Sequence, residues 1–130
     1  MQVLTLPDEG PLIATDRDAT DIIGEAFSVE ANLVVIPVSR LSPEFFQLRS
    51  GIAGNIVQKF VNYRLRLAII GDITAEVEAS TALRDFVYES NRGKQLWFLP
   101  TAADLEDRLK SASPFAPYRT LGKDPPEQSR

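Results

Sequence analysis

At 130 residues, 44% apolar and 25% charged, the chain has the size and composition of one globular domain with one core. It contains neither histidine nor cysteine, which excludes Ser-His-Asp and Cys-His catalysis, disulfides and conventional zinc sites, since each needs imidazole or thiolate. The net charge of -4 speaks against general nucleic-acid binding, which depends on neutralising many phosphates; the one basic section holds Arg40, Arg49, Lys59, Arg64 and Arg66 against Glu44 alone.

Two short apolar runs, residues 3–6 and 12–15, flank Pro7-Asp8-Glu9-Gly10-Pro11, whose residue types favour a reversing turn, so an opening β-hairpin is expected. Asp8 and Glu9 fall too early for a secretory signal, which points to a cytoplasmic chain. Asp18 is placed to cap a helix in which Ala19, Ile22, Ile23, Ala26 and Phe27 share one face. Gly24 weakens that helix or admits a close neighbour.

Residues 33–38 are apolar without alternation, the mark of a strand covered on both faces. The run is far short of the roughly 18 to 20 residues of a membrane span. Ser42-Pro43 signals a helix start, Ser42 capping and Pro43 in the first turn, with a short helical turn through Leu48. A longer helix over residues 50–64 carries an inward stripe of Ile52, Ile56, Phe60 and Tyr63.

Residues 67–70 form the next buried strand, ended by Gly71-Asp72, and Glu76 and Glu78 fall in a loop. Ser80 caps a helix burying Leu83, Phe86 and Val87, and Gly93 suits a left-handed stop. Residues 96–99 make the last strand. Thr101 and Asp104 then have the spacing of a capping box, opening a helix with Leu105 and Leu109 inward. The domain is expected over residues 1–111 and a loosely ordered tail, with Pro114, Pro117, Pro125 and Pro126, over 112–130. The whole reads as a single α/β domain: a mixed, mostly parallel five-stranded sheet, one antiparallel strand from the hairpin, and four to five helices.

Candidate functional residues gather around the 50–64 helix. Asn55, Gln58, Lys59 and Asn62 recur at helical spacing on the face away from the apolar stripe. An amphipathic helix must show some polar face to water, but amides are weaker helix formers than Glu or Lys, so three of them suggest specific hydrogen bonding. Gly51 and Gly54 sit in its first turns, where glycine costs about 1 kcal/mol relative to alanine. Close packing on the neighbouring strand explains such glycines, as does approach of a phosphate or partner to the positive helix end.

Asp72 lies at the carboxyl end of a central strand, the edge where open α/β sheets bind ligands, and an ordinary turn aspartate would look the same. Neither a P-loop nor a dinucleotide-binding glycine motif is present. Asp16-Arg17-Asp18 serves helix capping better than a metal, and Glu89 to Gly93 reads as a helix end and turn. No cofactor, metal or catalytic residue is implied.

The block from Pro43 to Asp72, PEFFQLRSGIAGNIVQKFVNYRLRLAIIGD, followed by LRDFVYESNRG, resembles a bacterial family known only as domain of unknown function 4180, over residues 3–110. That family implies no activity. Ser50-Gly51-Ile52-Ala53-Gly54, after a strand and loop, is similar to the Ser-Gly-Leu-Gly of STAS domains, the fold of anti-sigma-factor antagonists, in which the serine is phosphorylated. This likeness implies a STAS-like fold with Ser50 as phosphoacceptor. Arg49 stands where those domains carry an acidic residue, and residues 43–48 add a turn.

The leading expectation is a non-enzymatic regulatory or interaction domain that binds another protein through Arg49, Ser50, Asn55, Gln58, Lys59 and Asn62. A homodimer seam on the same face is a further possibility. The alternative is a small anionic-ligand domain or enzyme with its site between residues 49–55 and Asp72, where Asp72 or Tyr63 would handle protons.

Overall fold

Strands that are apolar throughout need cover on both sides, and the central strands of this sheet have it. The computed structural model describes residues 2–111; the loosely ordered tail expected from residue 112 lies outside them. The strands are β1 (Val3–Thr5), β2 (Leu33–Pro37), β3 (Arg66–Ile70) and β4 (Leu96–Leu99). The helices are α1 (Asp16–Ser28), α2 (Ile52–Asn62), α3 (Thr74–Ala79), α4 (Thr81–Arg92) and α5 (Ala102–Ser111).

The sheet has four strands in the order β1-β2-β3-β4, with every pair parallel. Each crossover steps one strand in the same direction, so right-handed connections place their helices on one face. The core divides accordingly. Val34, Ile36, Leu67, Ile69 and Phe98 point toward Ile22, Ile56, Phe60 and Leu83 of the crossover helices. Leu33, Val35, Ala68 and Trp97 point the other way, where Leu105 of α5 joins them. Burying side chains such as Ile56 and Phe60, at 1% and 0% exposure, contributes about 1.5–3 kcal/mol each.

The expected hairpin does not form, and the sheet is one strand smaller and wholly parallel. β1 pairs with β2 from Val3↔Leu33 to Thr5↔Val35, while Ile13 makes only an isolated parallel bridge to Leu41. Arg40 is the physical reason. Its buried guanidinium donates from Nε to the Pro11 carbonyl at 2.9 Å and from Nη1 to the Pro7 carbonyl at 3.1 Å. Residues 7–11 wrap this side chain, and Pro7 and Pro11, lacking N–H groups, could not have donated to a ladder. The element order behind the STAS-like reading goes with the hairpin, leaving the local Ser-Gly match.

Several local assignments shift for reasons visible in the hydrogen bonds. Thr15, not Asp18, is the N-cap of α1: its hydroxyl accepts from the Asp18 N–H at 3.1 Å, and the Asp18 carboxylate accepts from Thr15 N at 3.0 Å and Ala14 N at 2.8 Å. The Ala14 bond is the chief reason the Asp18 pKa lies below the ordinary carboxylate value. The short helical turn starts at Ser42-Pro43 as expected, a 3-10 turn over Pro43–Phe46, but the Ser42 hydroxyl makes no capping bond and is buried without a partner among the described residues; further 3-10 turns cover Val38–Arg40 and Leu48–Ser50. Glu76 and Glu78 lie on α3 rather than in a loop. Gly93 ends α4 with φ -95°, an extended rather than left-handed stop. Ser80 does cap α4, accepting from Leu83 N at 3.1 Å, and Thr101 caps the first turn of α5, accepting from Asp104 N at 3.1 Å.

Among the described residues nothing packs against the glycines of the helices. A Cβ built on Gly24 or Gly54 meets no atom within 4 Å, so neither the close-neighbour nor the strand-packing reading holds. Gly51 has open space too, but its φ of +80° puts it in the left-handed region as the N-cap of α2. Gly54→Ala is therefore expected to raise stability by about 0.5–1 kcal/mol. Gly51→Ala should lower it. Urea denaturation of the two variants checks both signs.

Candidate functional site on the outer face of α2

Helical geometry sorts α2 cleanly. Ala53, Ile56 and Phe60 are buried at spacings of three and four, and the opposite side holds Gly54, Asn55, Gln58, Val61 and Asn62, all exposed. No residue on that side is ionisable. The solvent faces of α1, α4 and α5 are otherwise: Asp21 and Glu25, Arg84 and Asp85, Glu106 and Asp107 are exposed on them. Among the helices of the described residues, α2 alone shows water a face with no charge.

The structure brings together some of the expected site residues and separates others. Asn55, Gln58 and Asn62 share the outer face, and Gln58 donates from Nε2 to Asn62 Oδ1 at 2.9 Å. That bond occupies one donor and one acceptor of the two amides and leaves the others to solvent. Lys59 is half-buried at the side of the helix. Tyr63, expected on the buried stripe, is 47% exposed, and Phe27, expected on the inner face of α1, is 50% exposed. The two rings meet edge to face with centroids 5.7 Å apart.

Ser50 stands just before α2, whose first residue is Ile52. Its hydroxyl donates to the Glu44 carbonyl at 2.9 Å and accepts from the Ile52 N–H at 3.2 Å. It thereby satisfies one of the orphan amides of the first turn, from a position one residue outside the cap.

Arg49 and Asp72 line different cavities. Arg49 borders a groove of about 800 Å³ with Phe46, Gln47, Leu48, Glu76 and Ser80. Asp72 borders one of about 230 Å³ with Thr74, Val77 and Phe98. Helix α3 contributes residues to both. Asp72 accepts from the Thr74 hydroxyl at 2.6 Å and from Thr74 N at 2.9 Å, and these bonds, the hydroxyl first, hold its pKa below the usual value. It makes the turn into α3.

Sequence reasoning missed Gly54 and Val61 as members of the outer face, although their spacing from Gln58 and from each other would have placed them there. It also missed Arg66, Trp97 and Arg108, which meet on the far side of the sheet. The guanidinium carbons lie 4.6 Å and 4.5 Å from the Trp97 ring centroid. No local signal joins residues so far apart in the chain.

Among the described residues no group of acidic side chains could hold a metal ion, and no helix is long and apolar enough to cross a membrane. Fold and surface define an α/β domain with a four-stranded parallel sheet and one uncharged helix face. The chain belongs to the family described as Domain of unknown function (DUF4180), whose model matches residues 1–109. Comparison with the curated proteins and with the solved structures found no match.

Proposed function

We propose that this chain is a non-enzymatic regulatory or interaction domain, acting in the bacterial cytoplasm, that binds another protein through the outer face of α2. The uncharged face is the observation that carries the reading. Cores of protein interfaces are depleted in charge, because an ion that loses its water without a partner is costly. Gly54 lets a partner backbone approach closely, Val61 at 39% exposure supplies apolar area, and the free donors and acceptors of the amides set register.

Two lysines at the centre of this face should abolish binding while leaving the fold intact. The comparison is between parent and Asn55→Lys/Gln58→Lys chains, by affinity capture from the source cell and by sedimentation at several concentrations. Matching circular dichroism and melting temperature would establish that the variant is folded. Loss of captured proteins or of self-association supports the reading and distinguishes a foreign partner from a second copy. If both chains capture the same set and sediment alike, the face has no such role.

Ser50 belongs to the same proposal as a phosphoacceptor. Its hydroxyl is exposed beside Arg49 at the start of α2, and a phosphate there would lose the bond to Glu44 while gaining the positive helix end. The groove beside Arg49 favours a second reading, a small anionic ligand, because its size falls in the range of small-molecule sites. Thermal-shift screening with phosphorylated metabolites on the parent and Arg49→Ala chains separates the two readings.

A further inference from the structure

The side of the sheet away from α2 holds two guanidinium groups with no ion-pair partner among the described residues. Arg66 opens β3 and Arg108 lies in the last turn of α5, and both guanidinium groups rest against the ring of Trp97 on β4. Part of the arrangement is structural. The carbonyls of the turn that ends α4 accept from all three side chains: Asn91 from Arg108 Nη2, Gly93 from Trp97 Nε1 at 2.7 Å, and Lys94 from Arg66 Nε at 2.7 Å. Orphan carbonyls at a helix end attract cations in this way.

What that role leaves over is charge and donors. Each guanidinium has five N–H groups, and the turn takes one from each. Arg66 Nη2 is cut off from water and has no acceptor among the described residues. No carboxylate answers either cation: the one ion pair among the described residues joins Arg92 to Glu89. Burial lowers both arginine pKa values, and Arg66 lowers that of Arg108 further. Two like charges held against one ring, with an unused donor between protein atoms, call for an oxygen-bearing anion.

We propose that Arg66 and Arg108, positioned by Trp97, form a binding site for a small oxyanion, a carboxylate or phosphate group. Arg108 is half-buried and its exposed part is the approach from solvent; the anion draws on its free N–H groups first and on Arg66 as the last turn of α5 adjusts. The site lies on the opposite side of the sheet from the α2 face and is independent of it.

Trp97 is the chain's only tryptophan, so its fluorescence reports the site directly. Parent chain is titrated with inorganic phosphate, with acetate and with chloride at one fixed ionic strength, and its melting temperature is followed in the same solutions. A saturable fluorescence change and a rise in melting temperature with phosphate or acetate, but not chloride, are expected; the anion that saturates first identifies the group. Arg108→Gln should lose both responses, and Arg108→Lys, which keeps charge without the planar fork, should bind at least tenfold more weakly. The lysine variant carries the test if the glutamine variant does not fold. Equal responses to all three anions, or equal responses in parent and variant, would overturn the site.

Discussion

Arg40→Met is expected to lower the stability of the domain by about 3 kcal/mol, one of the largest losses for a residue outside the apolar core. Arg40 is 9% exposed and holds residues 7–11 through charge-assisted bonds to the Pro7 and Pro11 carbonyls. Bonds of this kind contribute about 1.5–3 kcal/mol each, and partial rehydration of the carbonyls in the variant keeps the sum near the lower end. Methionine replaces much of the apolar stem, so the loss reports the guanidinium rather than a cavity. Arg40→Lys should recover only part of it, since an ammonium cannot reach two diverging carbonyls as a planar fork does.

Urea denaturation with an unchanged slope gives the energy. Hydrogen exchange locates it. The Ile13 amide, bonded to the Arg40 carbonyl at 2.7 Å, should exchange faster in Arg40→Met, while amides of β2 and β3 keep their protection relative to global unfolding. A loss below about 1 kcal/mol, or unchanged exchange at Ile13, would mean that the loop holds its path without the side chain.

Arg40 also explains where the sequence stopped being legible. Strands β2, β3 and β4 are readable because residues 33–36, 67–70 and 96–99 are apolar on both faces, and helices α1, α2, α4 and α5 are readable from period and caps. Whether residues 12–15 pair with β1 was not a local question. It turned on a guanidinium more than twenty residues downstream, and a turn-forming composition is equally suited to a hairpin and to a loop closing around a cation. Helix α3 was missed for another reason: its six residues carry Val77 as the lone large apolar side chain, too little to show a period.

The candidate face was legible in part. Helical period tells which way a side chain points, not whether another element stands there to cover it. Hence Phe27 and Tyr63 sit on the expected stripes yet stay about half exposed, meeting edge to face near the ends of α1 and α2. Gly54 likewise has no neighbour to justify it. The absence of charge on the outer face could be counted once the helix limits were known, whereas Arg66, Trp97 and Arg108 required the strand order and the return of α5.

Gly71→Ala is the second substitution with a large expected cost, about 3 kcal/mol. Gly71 follows β3 at φ +148°, and a Cβ there would stand 2.7 Å from Val38 Cγ2 and 2.8 Å from Val38 Cβ. Two penalties combine: a backbone conformation L residues rarely adopt, worth about 1–2 kcal/mol, and overpacking worth about 1–3 kcal/mol. A double-mutant cycle separates them. Val38→Ala removes the methyl carbons that collide, so Gly71→Ala in that background should keep the conformational part and shed much of the steric part, with a coupling of about 1–2 kcal/mol. Val38 Cβ remains in place, so rescue is incomplete. Additive losses in denaturant unfolding would show that the Val38 methyl groups play no part and that the backbone conformation and the Val38 Cβ contact select glycine at this strand end. Strong coupling would show that Gly71 is there to let the turn after β2 lie against β3, the contact that sets the carboxyl edge of the sheet.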